Sequence, residues 1–172
     1  MKISTKHGFA FLCTPKCAST AIEEAIDELC NISYVGSPRL RHINAHTYVE
    51  HILPAHQALM PSVEIESVCM IRDPFKWIQS LYRYRSREAL KNPDHPNHSR
   101  YTGNITYSEF IDAYTSEGRR PADGQVRTQF GFMCLEDGTI GVDRIFPFER
   151  LDLFWSWLLE KTGVEISIPH KK

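Results

Sequence analysis

The chain has no glycine between Gly8 and Gly36. The loop G-x-x-x-x-G-K-[ST] is therefore missing, and an ordinary ATPase or GTPase site is disfavoured. Charge of one sign is also scarce in excess, since the formal net charge is −1. That balance argues against a broad nucleic-acid or membrane footprint, so any anionic ligand must be held by a local cluster. No apolar run approaches the ~20 residues of a membrane span. The short apolar stretch after Lys2, Lys6 and His7 is a poor signal peptide, and a cytoplasmic location is expected. The five cysteines (Cys13, Cys17, Cys30, Cys69 and Cys134) are odd in number and form no C-x-x-C pair. They suggest neither a disulfide framework nor a zinc ribbon, and most are expected as buried thiols. His42, His46, His51 and His56 lie close together without an H-E-x-x-H spacing, so no metal is expected. There is no internal repeat, and 172 residues suit one domain with a sizeable core, residues 1–172.

What is present centres on Phe9 to Ile26. An apolar run of strand length, Phe9 to Leu12, passes through Thr14-Pro15-Lys16 and becomes a helix pattern. Ala21, Ile22, Ala25, Ile26 and Leu29 share one face of that helix. Strand, tight turn and helix together build an anion site, because the first helical turn has unpartnered N–H groups and the positive end of the macrodipole. Cys17, Ala18, Ser19 and Thr20 are small enough to let a phosphate or sulfate reach the main chain. Ser19 and Thr20 add hydroxyls and Lys16 adds a charge. The plainer alternative is that Pro15 ends a strand and Ser19 or Thr20 caps a helix. Cys17, beside Lys16 at a helix start, is the thiol open to a lowered pKa, although packing is the weightier reading.

Further along, Ile32 to Val35 is strand-like. Arg39 to His46 gathers two arginines and two histidines, either as a solvated loop or as a wall of the anion site with a histidine for acid–base work. A helix over Thr47 to Leu59 is interrupted by Pro54. Glu64 to Arg72 reads as a buried strand, ending in Arg72-Asp73-Pro74. Pro74 then opens a long helix containing Phe75, Trp77, Ile78, Leu81 and Tyr82. Asn92 to Asn104 is a polar loop and a candidate acceptor-binding lid. Thr106 and Glu109 form a capping box. Glu117 to Gly124 is a loop, and Val126 to Cys134 is apolar with Gln125, Arg127 and Gln129 interspersed. Asp137-Gly138 marks a turn, Val142 to Phe148 a third strand, and Leu151 to Leu159 an amphipathic helix stopped by Gly163. Alternating strands and helices predict an α/β fold with a mostly parallel central sheet flanked by helices. Lys16 and Arg72 would both lie beyond the carboxyl ends of its strands, where ligands bind in such sheets.

The two strand–turn–helix units resemble the sulfotransferases that use 3′-phosphoadenosine-5′-phosphosulfate. Pro15-Lys16-Cys17-Ala18-Ser19-Thr20 is similar to the 5′-phosphosulfate loop of glycan-type members such as heparan sulfate 2-O-sulfotransferases. Arg72 to Tyr82 is similar to the 3′-phosphate motif R-x-P-x-x-R-x-x-S-x-Y. Arg41-His42 sits where that branch has a basic residue followed by histidine, and Phe148-Glu149-Arg150-Leu151 resembles an F-E-N-L ending. The resemblance implies a P-loop-like three-layer fold and a sulfuryl transfer needing no metal. It implies that Pro15 to Thr20 hold the 5′ end, with Lys16 neutralising the leaving phosphate, and that Arg72 and Ser80 hold the 3′-phosphate. The product would be adenosine 3′,5′-bisphosphate. His42 is the first choice for the base, His46 the second and Glu50 the third. The acceptor would be a small molecule or a glycan, with no nucleic-acid partner.

Three departures stand out. Trp77 replaces the second arginine of the 3′-phosphate motif, and Arg150 replaces the asparagine of F-E-N-L. Family members also continue into a basic loop that covers the nucleotide. His170-Lys171-Lys172 would be the start of it, so that cover is expected to be short or missing. The competing expectation is a nucleotide- or sulfate-binding protein of the same fold without turnover.

Overall fold

A computed structural model describes residues 1–116 and 128–166. The expected loop over 117–124, Gln125, Val126 and Arg127, and the basic tail His170-Lys171-Lys172 lie outside the described residues. In chain order the strands are β1 (Lys2–Ser4), β2 (Phe9–Leu12), β3 (Ile32–Ser33), β4 (Glu66–Ile71) and β5 (Arg144–Pro147). The helices are α1 (Ser19–Ala25), α2 (Pro38–Arg41), α3 (Ala45–Thr47), α4 (Leu53–Leu59), α5 (Pro74–Arg85), α6 (Tyr107–Thr115), α7 (Gln129–Met133) and α8 (Leu151–Thr162). Two compact units result, one of residues 1–73 with 128–172 and the other of residues 74–127.

The first unit holds a five-stranded sheet in the order β3-β1-β2-β4-β5. β2 pairs parallel with β4, and β4 pairs parallel with β5. β1 is antiparallel to both β2 and β3. The expected mostly parallel sheet is therefore corrected to a mixed one. The cause is a hairpin at the start of the chain. Gly8 takes a φ of 66°, and a side chain there would meet the Glu64 carbonyl oxygen at 2.6 Å. A glycine turn thus folds β1 back onto β2.

Alternation along β2 divides the core. Phe9 and Phe11 face α8, where Phe9 meets Trp157 at 5.8 Å and Phe11 meets Phe154 at 5.8 Å between ring centroids. Ala10 and Leu12 belong to the opposite cluster, with Ile43, Ala45, Tyr48, Phe132 and Met133. Helices thus cover both sheet faces within this unit. Burial of each aromatic contributes roughly 1.5–3 kcal/mol. Pro54 does not break its helix, because a π-helical turn over Tyr48–Ile52 precedes it and joins α3 to α4. Such a turn re-routes the hydrogen bonds that proline disrupts. The first helix is also shorter than expected, with the 3₁₀ turn Asp27–Leu29 replacing its last part.

In the second unit, α5 starts at Pro74 as expected. Trp77 is buried there against Tyr114, 6.4 Å between ring centroids. Tyr82 packs on Tyr107 and Phe110. The capping box is present, with Thr106 and Glu109 bonding each other's backbone N–H. Short 3₁₀ turns occupy Glu88–Lys91 and His98–Arg100 around the polar loop. Among the described residues, no helix is long and apolar enough to cross a membrane.

Candidate functional site

The loop between β2 and α1 turns immediately, with the Thr14 N–H donating to the Leu12 carbonyl at 2.9 Å. Lys16 and Ala18 then adopt left-handed backbone, φ 66° and 52°, the only non-glycine residues to do so among the described residues. Left-handed conformation at residues with a Cβ is strained and needs support. Left-handed residues are the members that, alternating with right-handed ones, turn successive N–H groups toward one concavity in an anion nest. Ala18 is the N-cap of α1, and no side chain caps that end. The plainer expectation that Ser19 or Thr20 caps the helix is thus overturned, because the cap lies one residue earlier, at a residue whose methyl cannot accept a hydrogen bond. Ser19 is buried and Thr20 exposed. The Thr20 hydroxyl oxygen accepts from Arg41 Nη2 at 2.9 Å, which leaves its O–H available as a donor.

Parallel pairing of β2 and β4, with Leu12 opposite Cys69, brings the two strand ends to the same sheet edge. There Arg72 Nη1 donates to the Lys16 carbonyl at 3.3 Å. The Arg72 guanidinium lies over the Phe148 ring, 4.8 Å from its centroid. Its Nε is buried without a partner. The Arg72 backbone is held by the Gln129 side chain, which accepts from its N–H and donates to its carbonyl, both at 2.8 Å. Next to it, the Asp73 N–H donates to the Glu149 carboxylate at 3.2 Å.

Cys17 is fully buried, and its thiol donates to Gln129 Oε1 at 3.3 Å. Burial, followed by the neighbouring Cys69, pushes this thiol up to about 12. The possible lowering by Lys16 is overwhelmed, so Cys17 is a packed thiol rather than a nucleophile.

His42 follows α2, and its Nδ1 lies 2.7 Å from the Cys13 carbonyl oxygen at the start of the loop. A carbonyl only accepts, so Nδ1 carries the proton and Nε2 presents a lone pair. Burial is the largest influence on this imidazole and lowers its pKa, which keeps the ring neutral near pH 7. Beside it, the buried Glu23 accepts from Arg41 Nε at 2.7 Å and from the Met1 nitrogen at 3.1 Å. Burial alone would raise the Glu23 carboxyl. The Cys13 thiol, Arg41 and the Met1 ammonium outweigh it and hold the group below the usual range.

His46 is placed differently. Its Nε2 lies 3.4 Å from Glu136, and it lines a recess with Glu50, His51, Leu135, Glu136 and Asp137. Ser80 is half-buried on α5, in the second unit. Arg150 forks onto Asp152 at the surface, with its Nη2 at 2.7 Å. Among the described residues, no three His, Cys, Asp or Glu side chains are grouped to hold a metal.

Sequence reasoning missed Gln129, Glu23 and the use of Glu149. Gln129 carried the clearest signal, a lone amide heading the otherwise apolar Phe130 to Cys134.

The site thus combines an α/β sheet, a strained, cation-bearing loop after one strand and a stacked arginine after its parallel neighbour. The sulfotransferase family model matches residues 1–172, and the chain belongs to that family. No curated protein and no solved structure gave a significant match.

Proposed function

We propose that this chain transfers a sulfuryl group from 3′-phosphoadenosine-5′-phosphosulfate to a hydroxyl or amine of a small molecule or carbohydrate. The residues present fit such a multiply anionic donor. The orphaned Arg72 Nε is a buried charged donor without an acceptor, and Lys16 and Ala18 hold the left-handed backbone that an anion nest uses. Pro15 to Thr20 would hold the 5′ end, with the Lys16 ammonium offsetting charge there. Arg72 would hold the 3′-phosphate by its planar fork. The bound nucleotide supplies the activated sulfuryl group. His42 Nε2 would accept the acceptor's proton, since its ring is neutral and its tautomer is fixed by Cys13. His46, tied to Glu136, is the weaker candidate for the base. Five free thiols suit a reducing, cytoplasmic setting.

The observation that carries this reading is the hydrogen bond from Arg72 to the Lys16 carbonyl, which joins the two grips at one sheet edge. Calorimetry with adenosine 3′,5′-bisphosphate beside ADP tests it, and equal binding would remove the 3′-phosphate role of Arg72. Transfer of isotope-labelled sulfate to an acceptor panel then tests turnover, with at least a tenfold fall expected in Lys16→Ala and His42→Ala. One observation favours a binding protein without turnover. Trp77, at the position of the motif's second arginine, is occupied in packing against Tyr114. Tight bisphosphate binding without label transfer would establish that alternative.

A further inference from the structure

β4 leaves its ladder before the chain does. Its last pair with β2 is Leu12 with Cys69, and its last pair with β5 is Ile71 with Pro147. Arg72 lies three residues beyond the first of these pairs and one beyond the second. A strand continuing there would have supplied an acceptor for its N–H and a donor for its carbonyl. The Gln129 carboxamide does both, closing a two-bond ring of 2.8 Å contacts with the Arg72 backbone. The same carboxamide oxygen accepts the Cys17 thiol at 3.3 Å. One buried side chain, 8% exposed, is therefore bonded to the loop that follows β2 and to the residue that follows β4.

Gln129 is itself held firmly. It opens α7, whose N-cap Thr128 accepts from the Gly131 N–H at 3.0 Å. Phe132 and Met133 of the same helix are buried in the core. Other side chains cannot reproduce the arrangement. Asparagine is one methylene shorter. A glutamate carboxylate has no donor for the Arg72 carbonyl. An apolar side chain abandons three buried polar groups at once.

We propose that Gln129 is the positioning residue that sets the spacing between the Lys16 loop and Arg72, and so the length of anion they span. The proposal rests on the reading of this edge as the site for a doubly phosphorylated nucleotide. Gln129 touches no reacting atom and acts through Cys17 and Arg72.

The test combines amide hydrogen exchange of the free protein with calorimetry for adenosine 3′,5′-bisphosphate. In Gln129→Met, the amides of Arg72 and of Lys16 to Ser19 should lose protection at least tenfold, while Val68 and Met70 in β4 keep theirs. Bisphosphate affinity should fall at least tenfold and its preference over ADP should shrink. Cys17→Ala, which leaves the Arg72 pairing intact, should loosen the loop amides but not Arg72. In Gln129→Glu, acidification should restore protection at Arg72, because a protonated carboxyl regains the missing donor; a purely structural substitution would show no such recovery. Unchanged protection at Arg72 and the loop in Gln129→Met would overturn the proposal, as would losses shared equally by Val68 and Met70. Failure of the wild-type protein to bind bisphosphate would instead sink the nucleotide reading, and the exchange data would still decide whether Gln129 couples the two segments.

Discussion

Replacing Ala18 by glycine should make the protein more stable and the anion loop less competent. Ala18 holds φ 52° and ψ 23° at the N-cap of α1. Its methyl is exposed, so removing it forfeits no core packing. Left-handed backbone costs a residue with a Cβ roughly 1–2 kcal/mol, whereas the extra freedom of glycine in the unfolded chain costs about 0.4–1 kcal/mol. The difference leaves Ala18→Gly more stable by about 0.5–1 kcal/mol, or a rise of about 1–4 °C in Tm for a chain of this size. Thermal and urea denaturation read that change directly. Calorimetry with adenosine 3′,5′-bisphosphate should show several-fold weaker binding, because a glycine loop must be ordered by the ligand rather than before it. A destabilised variant with unchanged affinity would refute the idea that strain at Ala18 is maintained for anion binding.

Arg72→Lys keeps a charge but loses the fork to the Lys16 carbonyl and the stacking on Phe148; calorimetry should find bisphosphate binding weaker by roughly 10–100-fold. Burial lowers His42 from its ordinary value of 6.5, so the acid limb of a kcat/KM profile should fall below that pH and vanish in His42→Ala; a limb above it would remove His42 as the base. The same shift means stability declines as pH drops from the ordinary value toward the lowered one, since the unfolded chain takes up the proton first. Glu23→Ala strands the Arg41 guanidinium and should cost about 2–4 kcal/mol in urea titrations at neutral pH, discounted for the partial exposure of Arg41. Because the Glu23 carboxyl is lowered, its contribution is present above the ordinary carboxylate range and is lost as pH falls through its own lower value, so wild type and variant should converge in acid.

The elements that carry strong periodicity or explicit stop signals were legible. β2 is a continuous apolar run and β4 contains one from Val68 to Ile71, α5 begins at Pro74, the Thr106–Glu109 box starts α6, and Gly163 ends α8 with φ 70°. β1 was hidden because it is three residues long and includes Lys2 and Ser4, polar side chains that are nonetheless buried. Lys2 is accommodated by Asp27 and Ser33, partners that only the tertiary fold supplies. Missing that strand is what turned a mixed sheet into an expected parallel one. In the site, charged and small residues were readable by type, since Lys16, Arg72 and His42 announce their chemistry. Gln129 and Glu23 act through bonds to residues 57 and 18 positions away, Arg72 and Arg41, and composition carries no trace of such pairings.

Two contacts of the Arg72 side chain among the described residues are a peptide carbonyl and an aromatic ring, neither of which carries a formal charge. Glu149, which follows Phe148 in the chain, accepts from a main-chain amide. Neither the carbonyl nor the ring neutralises the guanidinium charge, which is available to an anionic ligand. Encounter with a multiply charged anion should accordingly be guided from a distance, and its association rate should drop steeply as added salt shortens that reach.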